Sequence, residues 1–360
     1  MNVLYDSQIF SSQRYGGISR YFSELIHGSK GYEYQLSLLY SDNEYIKDIH
    51  ENSLIIPSRY FLGKNTLVKY LNKYNDIKEL KSSNFDLFHP TYYSPALFPQ
   101  CPIVITVYDM IHELQTDYFS PSDKTIGDKF NCLKKASRII AISENTKKDL
   151  LNKYKWIEPD RVDVVYLAIE WDSVIDSNDS ETKYGDYILF TGNRERYKNF
   201  SIFLRAVIPL LSKYNLNLVI TGPKVTDEEY KFFCENKIND KIFHVAASES
   251  TLKSLYSNAI AFVFPSLYEG FGLPILEAFS TECPIVLSNT SCFPEIAGDA
   301  GEYFDPYDCN SIRNAIETVI SSKDRRAELK KKGLVRKSEF TYEKMIQETY
   351  KVYKKALACK

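Results

Sequence analysis

No stretch of the 360-residue chain reaches the roughly 20 consecutive apolar residues that a membrane-spanning helix needs. The start, MNVLYDSQIF, lacks the basic segment and long apolar run of a secretory signal, so a cytoplasmic protein is expected. The seven cysteines (Cys101, Cys132, Cys234, Cys283, Cys292, Cys309 and Cys359) include no Cys-x-x-Cys pair. Their scatter fits reduced structural thiols, and neither a zinc site nor a disulfide framework. Asp-x-Asp, His-x-x-x-His and Gly-x-x-x-x-Gly-Lys-Ser/Thr are all missing. A dedicated divalent-metal site and a P-loop are therefore unsupported, and no metal and no cofactor is expected. Excess charge is lacking too: the net charge is −2 and the pI about 6.3, which argues against nucleic acid held by bulk charge. Internal repeats and low-complexity tracts are absent.

What is present is ordinary for a soluble globular chain, with 44% hydrophobic and 26% charged residues. The length suits two domains of about 170 residues each. Strand-like and helix-like segments alternate from end to end. In the first half, NVLYD (2–6), YQLSLLY (34–40), DLFHP (86–90), PIVITVYD (102–109), RIIAIS (138–143) and RVDVVYLAI (161–169) read as strands. Between them, 18–28, 66–80 (amphipathic), 122–136 and 144–154 read as helices. That order predicts a doubly wound α/β domain. The polar segment WDSVIDSNDSETKYGD (171–186) has the composition of a linker. The pattern then restarts, with strands at YILFTG, LNLVITG, KIFHVA, AIAFVF and PIVLS and helices at about 308–321 and 323–337. A last helix, 341–358, places Met345, Thr349, Val352 and Ala356 on one face, suited to packing back across both domains.

The most informative stretch is YEGFGLPILEA (268–278). It follows the strand AIAFVF, and Pro274 fits the start of a helix, where a missing N–H is tolerated. Strand, glycine loop and helix N-terminus offer free amides and a partial positive charge, a good seat for phosphate. Glycine lets the backbone approach closely. The two acids, Glu269 and Glu277, cannot bind phosphate but can accept hydrogen bonds from hydroxyls. An anion seat between two hydroxyl acceptors suits a sugar nucleotide. The plainer reading is one acid favouring a helix dipole and another in solvent.

Other segments are less specific. YGGISRYF puts Gly16 and Gly17 before a helix in the first βα unit, which is either a simple turn or a ligand-facing loop. FTGNRERYKNF gathers Arg194, Arg196 and Lys198 after the first strand of the second half. Arg194 and Lys198 are the preferred pair to neutralise a departing diphosphate, against the alternative of plain surface charge. His89 in FHPTYYSP, and Tyr108, Asp109 and His112 in TVYDMIHE, stand at or just past strand ends and are candidates for acceptor or sugar contact. The Lys- and Arg-rich helices at 323–337 and 351–360 read as solvated faces ahead of an anionic-lipid surface.

Taken together, Glu269-x7-Glu277, the Gly192, Arg194 and Lys198-Asn199 segment and the Tyr15-Gly16-Gly17 loop resemble retaining family-4 glycosyltransferases. RIIAISENTKKDL (138–150) and PEIAGDAGEYFDP (294–306) extend the likeness along nearly the whole chain. The resemblance implies an α/β protein of the glycosyltransferase-B (GT-B) fold, two Rossmann-like domains facing across a cleft. It implies an acceptor domain at 1–170, a donor domain at 171–340 and a helix at 341–360 packing toward the first domain. It implies that Glu277 binds the ribose of a nucleotide-diphospho-sugar and that Glu269 contacts the transferred hexose. Phe271, Gly272 and Leu273 amides would hold sugar and phosphates, with Arg194 and Lys198 on the diphosphate and Gly16 and Gly17 also at the donor. Retention without metal is part of the same expectation.

The chain departs from the family where Tyr108-Asp109 replaces a frequent His-Asp; Tyr108, His89 or His112 would then serve the sugar. The Arg-x-x-Tyr-Lys-Asn element resembles mannosyltransferases of bacterial surface polysaccharide, lipopolysaccharide among them. That favours GDP-mannose and leaves UDP- and ADP-sugars open. The acceptor is then a glycan or lipid-linked glycan, with peripheral contact at the inner face of the cytoplasmic membrane as a further partner. The alternatives are a sugar-nucleotide epimerase or hydrolase on the same fold, and a non-catalytic nucleotide- or glycan-binding protein.

Overall fold

The computed structural model describes residues 1–29, 31–54, 56, 63–82, 84–169, 171, 183–194 and 196–358. The chain divides into two compact units, Met1–Ala168 with Tyr342–Lys360, and Ile169–Thr341. Of the linker expected at 171–186, residues 172–182 lie outside the described residues, as does Cys359.

In the first unit, strands β1 (Asn2–Tyr5), β2 (Glu33–Leu36) and β3 (Leu87–His89) form one parallel sheet in the order β2-β1-β3. Strands β4 (Val104–Val107), β5 (Arg138–Ala141) and β6 (Val162–Val164) form a second, in sequence order. A single parallel bridge from Phe88 to Ile103 joins the two. The strands are shorter than the apolar runs that announce them: YQLSLLY pairs only through Leu36 and RVDVVYLAI only over its first residues. The C-terminal helix (Tyr342–Ala358) belongs to this unit and buries Met345, Thr349, Val352, Tyr353 and Ala356. The Tyr353 hydroxyl sits 2.9 Å from the Tyr5 hydroxyl and 2.7 Å from His89 Nδ1, which fastens the helix to β1 and β3.

The helix Lys64–Ser82 does not follow its expected amphipathic pattern. Its buried row is Lys64, Val68, Asn72, Asp76 and Leu80, three of the five polar or charged. Asn72 accepts from the Leu39 and Tyr40 amides, and Asp76 accepts from the Ser7 amide and from the Ser7 and Ser37 hydroxyls. These side chains replace the backbone partners that the connecting segments lack.

The second unit is one six-stranded parallel sheet. Its strands are β7 (Tyr187–Phe190), β8 (Asn217–Thr221), β9 (Ile242–Val245), β10 (Ala261–Phe264), β11 (Ile285–Ser288) and β12 (Gly301–Phe304). The spatial order is β12-β11-β10-β7-β8-β9. β7, β10 and β11 are wholly buried, as expected of apolar runs in a parallel sheet covered on both faces. β12, sequence GEYF, carries no comparable apolar signal and is fixed by its register with β11. The helix Phe200–Lys213 packs its Phe203, Val207, Leu210 and Leu211 into the same core as Ile188, Leu218 and Val263.

The strand order reverses between β7 and β10, each of which begins a run toward the opposite edge. Loops leaving the carboxyl ends of two such strands diverge, and the crevice between them is where open α/β sheets bind ligands.

Candidate active site

The loops after β7 and β10 carry the residues singled out from sequence. After β7 the chain passes Gly192 in a left-handed conformation (φ 97°) and a short 3₁₀ turn, Arg196–Lys198, before the helix at Phe200. Only glycine suits the neighbouring Gly222 (φ 95°): a Cβ there would lie 2.2 Å from the Gly192 carbonyl oxygen.

After β10 comes the Glu269–Gly272 loop, and then a helix, Leu273–Ser280, with Gly272 as its left-handed N-cap at φ 87°. The two loops are tied at backbone level, since the Leu267 amide donates to the Tyr197 carbonyl at 2.7 Å. The tie extends to the loop after β11. Ser291 Oγ donates to the Glu269 carbonyl at 2.7 Å and receives the Glu269 amide at 3.3 Å. Glu269 is thereby held from three strand ends.

Within this frame Lys198 Nζ donates to Glu269 Oε1 at 2.5 Å. The ammonium also lies 5.1 Å from the Tyr197 ring centre and 5.8 Å from that of Phe264. Cys292 Sγ donates to the Glu269 carbonyl at 3.2 Å; burial first, then the Glu269 and Glu295 carboxylates, push this thiol far up, so it stays protonated.

Glu277 lies in the second turn of its helix, not the first, so the plain reading of an acid favouring the helix dipole does not hold for it. Its Oε2 accepts from the Tyr256 hydroxyl at 3.1 Å, and that hydroxyl is also 3.1 Å from Thr191 Oγ1 at the end of β7. Burial first, then the Glu277 charge, hold the Tyr256 phenol far above its ordinary range, so it remains a donor. Phe271 is buried against Phe340, with ring centres 5.8 Å apart. The amides of Gly272 and Leu273 stand at the helix N-terminus with no acceptor among the described residues. They and the Lys198 ammonium are donors that an anion could use.

Arg194 is a correction. Its guanidinium donates to Glu229 Oε1 at 2.6 Å and to the carbonyls of Thr221, Pro223 and Lys224, and its side chain is 5% exposed. Glu229 closes the capping box of the helix Asp227–Glu235, so Arg194 fastens the loop after β8 instead of facing a diphosphate. Of the three cations, Arg196 is the exposed one and has no ion pair among the described residues.

The first-unit candidates separate in the same way. Gly17 opens the helix Gly17–His27 and is exposed, and Gly16 precedes it in extended backbone; an unforeseen short helix, Gln8–Ser12, stands between them and β1. His89 is fully buried, with Nδ1 at Tyr353 and Nε2 2.9 Å from Thr106 Oγ1, and burial drives its imidazole down to about 3. It is a neutral structural bridge, not a sugar contact. Tyr108 is buried too, its hydroxyl donating to the Thr91 carbonyl at 3.1 Å, which removes it as a stand-in for the family histidine.

Asp109 is half-buried and caps the Ile111 amide through Oδ1. His112 stacks on Phe119 at 3.8 Å, with Nε2 3.4 Å from Asp123 and Nδ1 buried without a partner among the described residues. Asp109 and His112 remain the accessible pair of the four. Sequence reasoning missed Tyr256 and Ser291, which position the two glutamates. One tyrosine among 28, and a serine in a short loop, carry no signal of their own.

Two family models match consecutive parts of the chain: "Glycosyltransferase Family 4" over residues 15–172 and "Glycosyl transferases group 1" over residues 175–336. Among solved structures, Anabaena HepE in complex with UDP and glucose superposes with a TM-score of 0.74 at 14% identity, covering 98% of this chain and 99% of that one. The fold is GT-B-like. The GT-B-like chain is also related to curated proteins. O-antigen chain mannosyltransferase B of Escherichia coli is 28% identical over 235 residues, covering 62% of this chain and 61% of its own. O-antigen chain mannosyltransferase RfbU of Salmonella typhimurium is 26% identical over 188 residues, 52% of each chain. The chain thus spans between half and about three fifths of the length of these curated relatives. Among the described residues no group of three or more His, Cys, Asp or Glu side chains could hold a metal ion, and no helix is long and apolar enough to cross a membrane.

Proposed function

We propose that this protein is a retaining glycosyltransferase that moves a hexose from a nucleotide-diphospho-sugar to a glycan or lipid-linked glycan acceptor. The observation that carries the reading is the Lys198–Glu269 pair at the strand-order reversal, beside the two open amides of Gly272 and Leu273. In this reading the diphosphate sits on those amides and draws the Lys198 ammonium to itself. Glu277, oriented by Tyr256, accepts hydrogen bonds from the ribose hydroxyls. Glu269 accepts from a hydroxyl of the hexose. The bond from the anomeric carbon to the diphosphate oxygen breaks with its electron pair going to the oxygen, where Lys198 stabilises the growing charge. The acceptor oxygen bonds to the same face of that carbon, and its proton passes to the departing phosphate oxygen, which gives retention.

Two curated relatives are named as O-antigen mannosyltransferases, which favours GDP-mannose and a role in surface polysaccharide synthesis. The reaction is metal-independent in this reading, because Lys198 carries the leaving-group charge. It takes place in the cytoplasm, at the inner face of the membrane where a lipid-linked acceptor would lie.

A thermal-shift screen of GDP, UDP, ADP and TDP tests the donor half. A nucleotide at about 100 times its dissociation constant stabilises the protein by about 2.7 kcal/mol. Product analysis with the matching sugar nucleotide tests the rest: a new α-glycoside supports transfer, whereas an altered or merely hydrolysed donor points to an epimerase or hydrolase. No response to any nucleotide would end the reading.

A further inference from the structure

The helix Lys64–Ser82 buries Val68 and Leu80 but leaves three large apolar side chains exposed. Opposite the mostly polar buried row lie Leu67, Tyr70 and Tyr74, at 43%, 70% and 65% exposure, spaced three and four residues apart along one face. The fold does not use this stripe: Asn72 and Asp76 make the helix's contacts to the connecting segments from the other side. Continuing the stripe, Lys78 and Lys81 follow Tyr74, and Lys69 and Lys73 flank it; all four are exposed. Against them the helix carries only the half-buried Glu79, beside Lys78, and the buried Asp76. A chain of net charge −2 therefore concentrates positive charge around its exposed aromatic stripe.

The other basic helix, Lys323–Lys337, pairs part of its charge, while Lys323, Lys330, Lys331 and Lys337 have no ion pair among the described residues. There Arg325 pairs with Glu302 and Glu328, Lys332 with Asp299 and Glu328, and Arg336 with Glu339. Lys69, Lys73 and Lys81 have no ion pair among the described residues.

We propose that the Leu67–Tyr70–Tyr74 stripe with its flanking lysines docks the first unit on an anionic lipid surface. Tyrosine rings settle at the headgroup boundary, a leucine reaches the acyl edge, and lysines on long apolar stems reach the lipid phosphates. A protein partner would be expected to bring acidic groups to fixed positions. The lysines, at Lys69 and Lys73 along one flank of the stripe and at Lys78 and Lys81 continuing it, form an extended row that fits a delocalised negative surface. Three apolar side chains give weak, reversible attachment that depends on charge, not insertion. The inference deepens the membrane-side part of the proposed function and does not depend on the sugar or the nucleotide.

Cosedimentation of the full chain with phosphatidylglycerol–phosphatidylcholine vesicles, and with pure phosphatidylcholine vesicles, tests it. Binding to the anionic vesicles should fall with added salt and be at least tenfold weaker on the neutral ones. Tyr70→Ser/Tyr74→Ser should weaken anionic binding about tenfold or more, and Lys69→Glu/Lys73→Glu should abolish the preference for anionic lipid, since each lysine is worth about fivefold near such a surface. Lys330→Glu/Lys331→Glu should leave binding unchanged. Wild-type protein that stays in the supernatant, a tyrosine variant that binds like wild type, or loss of binding confined to the 330/331 variant would overturn the proposal. So would a concentration-dependent dimer in sedimentation equilibrium that the tyrosine variant abolishes, because a second copy would then cover the stripe. Nucleoside diphosphate stabilisation, measured on the same samples, reports separately on the transferase reading and should be the same in every variant.

Discussion

Lys198 and Glu269 meet across 2.5 Å from two different strand ends, and their side chains are almost equally withdrawn from solvent, at 18% and 17% exposure. Each supplies the charge that offsets the other's partial burial. Each residue helps to hold the other in place, and in the proposed reading the lysine awaits a charged group and the glutamate a hydroxyl.

Lys198→Ala should lower turnover on the order of a hundredfold or more, as loss of other electrostatic stabilisers of a developing charge does. It should also cost about 1–3 kcal/mol of stability by leaving Glu269 unpaired. Lys198→Ala/Glu269→Gln should recover much of that stability and none of the turnover. Steady-state assays and urea unfolding on the three variants separate the two effects. Near-normal turnover in a folded Lys198→Ala protein would reduce the lysine to surface charge.

Arg194 and Arg196 should behave oppositely. Arg194→Ala breaks the link to Glu229 and to three carbonyls, so it should destabilise the second unit by about 2–4 kcal/mol while the folded fraction keeps its nucleotide affinity. Arg196→Ala removes an exposed cation and should leave stability within about 0.5 kcal/mol. Urea midpoints alongside calorimetry with the nucleoside diphosphate decide this. A large affinity loss in Arg194→Ala with unchanged stability would return that residue to the donor site.

The split between these arginines shows what sequence can and cannot convey. Strand, glycine loop and helix around Glu269 and Glu277 were legible because each demand is local: a buried apolar run, a left-handed Gly272, a proline at the helix start. Which cation faces the loop was not legible, because Arg194 is claimed by Glu229, 35 residues away in the first turn of another helix. His89 and Tyr108 were misread for the same reason. A strand-end position predicts closeness to the crevice, but Tyr353, 264 residues on, and the carbonyl of Thr91 take up their polar atoms. The helix over Lys64–Ser82 was legible but its buried face was not, because polar residues can be the buried ones when connecting segments need hydrogen-bond partners.

The first unit should lose stability as pH rises toward neutrality. Asp76 is buried against Ser7 and Ser37, and burial, then the Asp6 charge, raise its carboxyl to about 7 from an ordinary 3.8. A carboxyl raised on folding binds its proton more tightly in the folded state. Its contribution is complete below about pH 4 and is lost as pH rises through 7, on the order of 2–4 kcal/mol. Asp76→Asn should weaken that dependence, leaving the share from Asp6, whose carboxyl burial also raises. Urea unfolding of both proteins between pH 4.5 and 8 checks it. Wild-type stability that rises relative to Asp76→Asn across this range would mean the carboxylate, not the acid, is the form the fold prefers.

The two glutamates should separate by ligand. Glu277 takes a hydrogen bond from Tyr256, which is anchored near Thr191 at the end of β7, so its carboxylate is oriented before any ribose arrives. Glu277→Gln should weaken free nucleoside diphosphate about 10- to 150-fold, the worth of a hydrogen bond to a charged group, less whatever the amide keeps. Tyr256→Phe should produce a smaller loss in the same direction, because Glu277 stays but is no longer oriented. In the proposed reading Glu269 accepts from the hexose, so Glu269→Gln should leave diphosphate affinity within about threefold, and its cost should appear in turnover with the intact sugar nucleotide. Calorimetry with the nucleoside diphosphate on all three variants, paired with turnover, reads every one of these outcomes. Equal affinity losses in the two glutamine variants would mean the acids share one role, and a loss confined to Glu269→Gln would mean that the ribose lies on the lysine side of the loop.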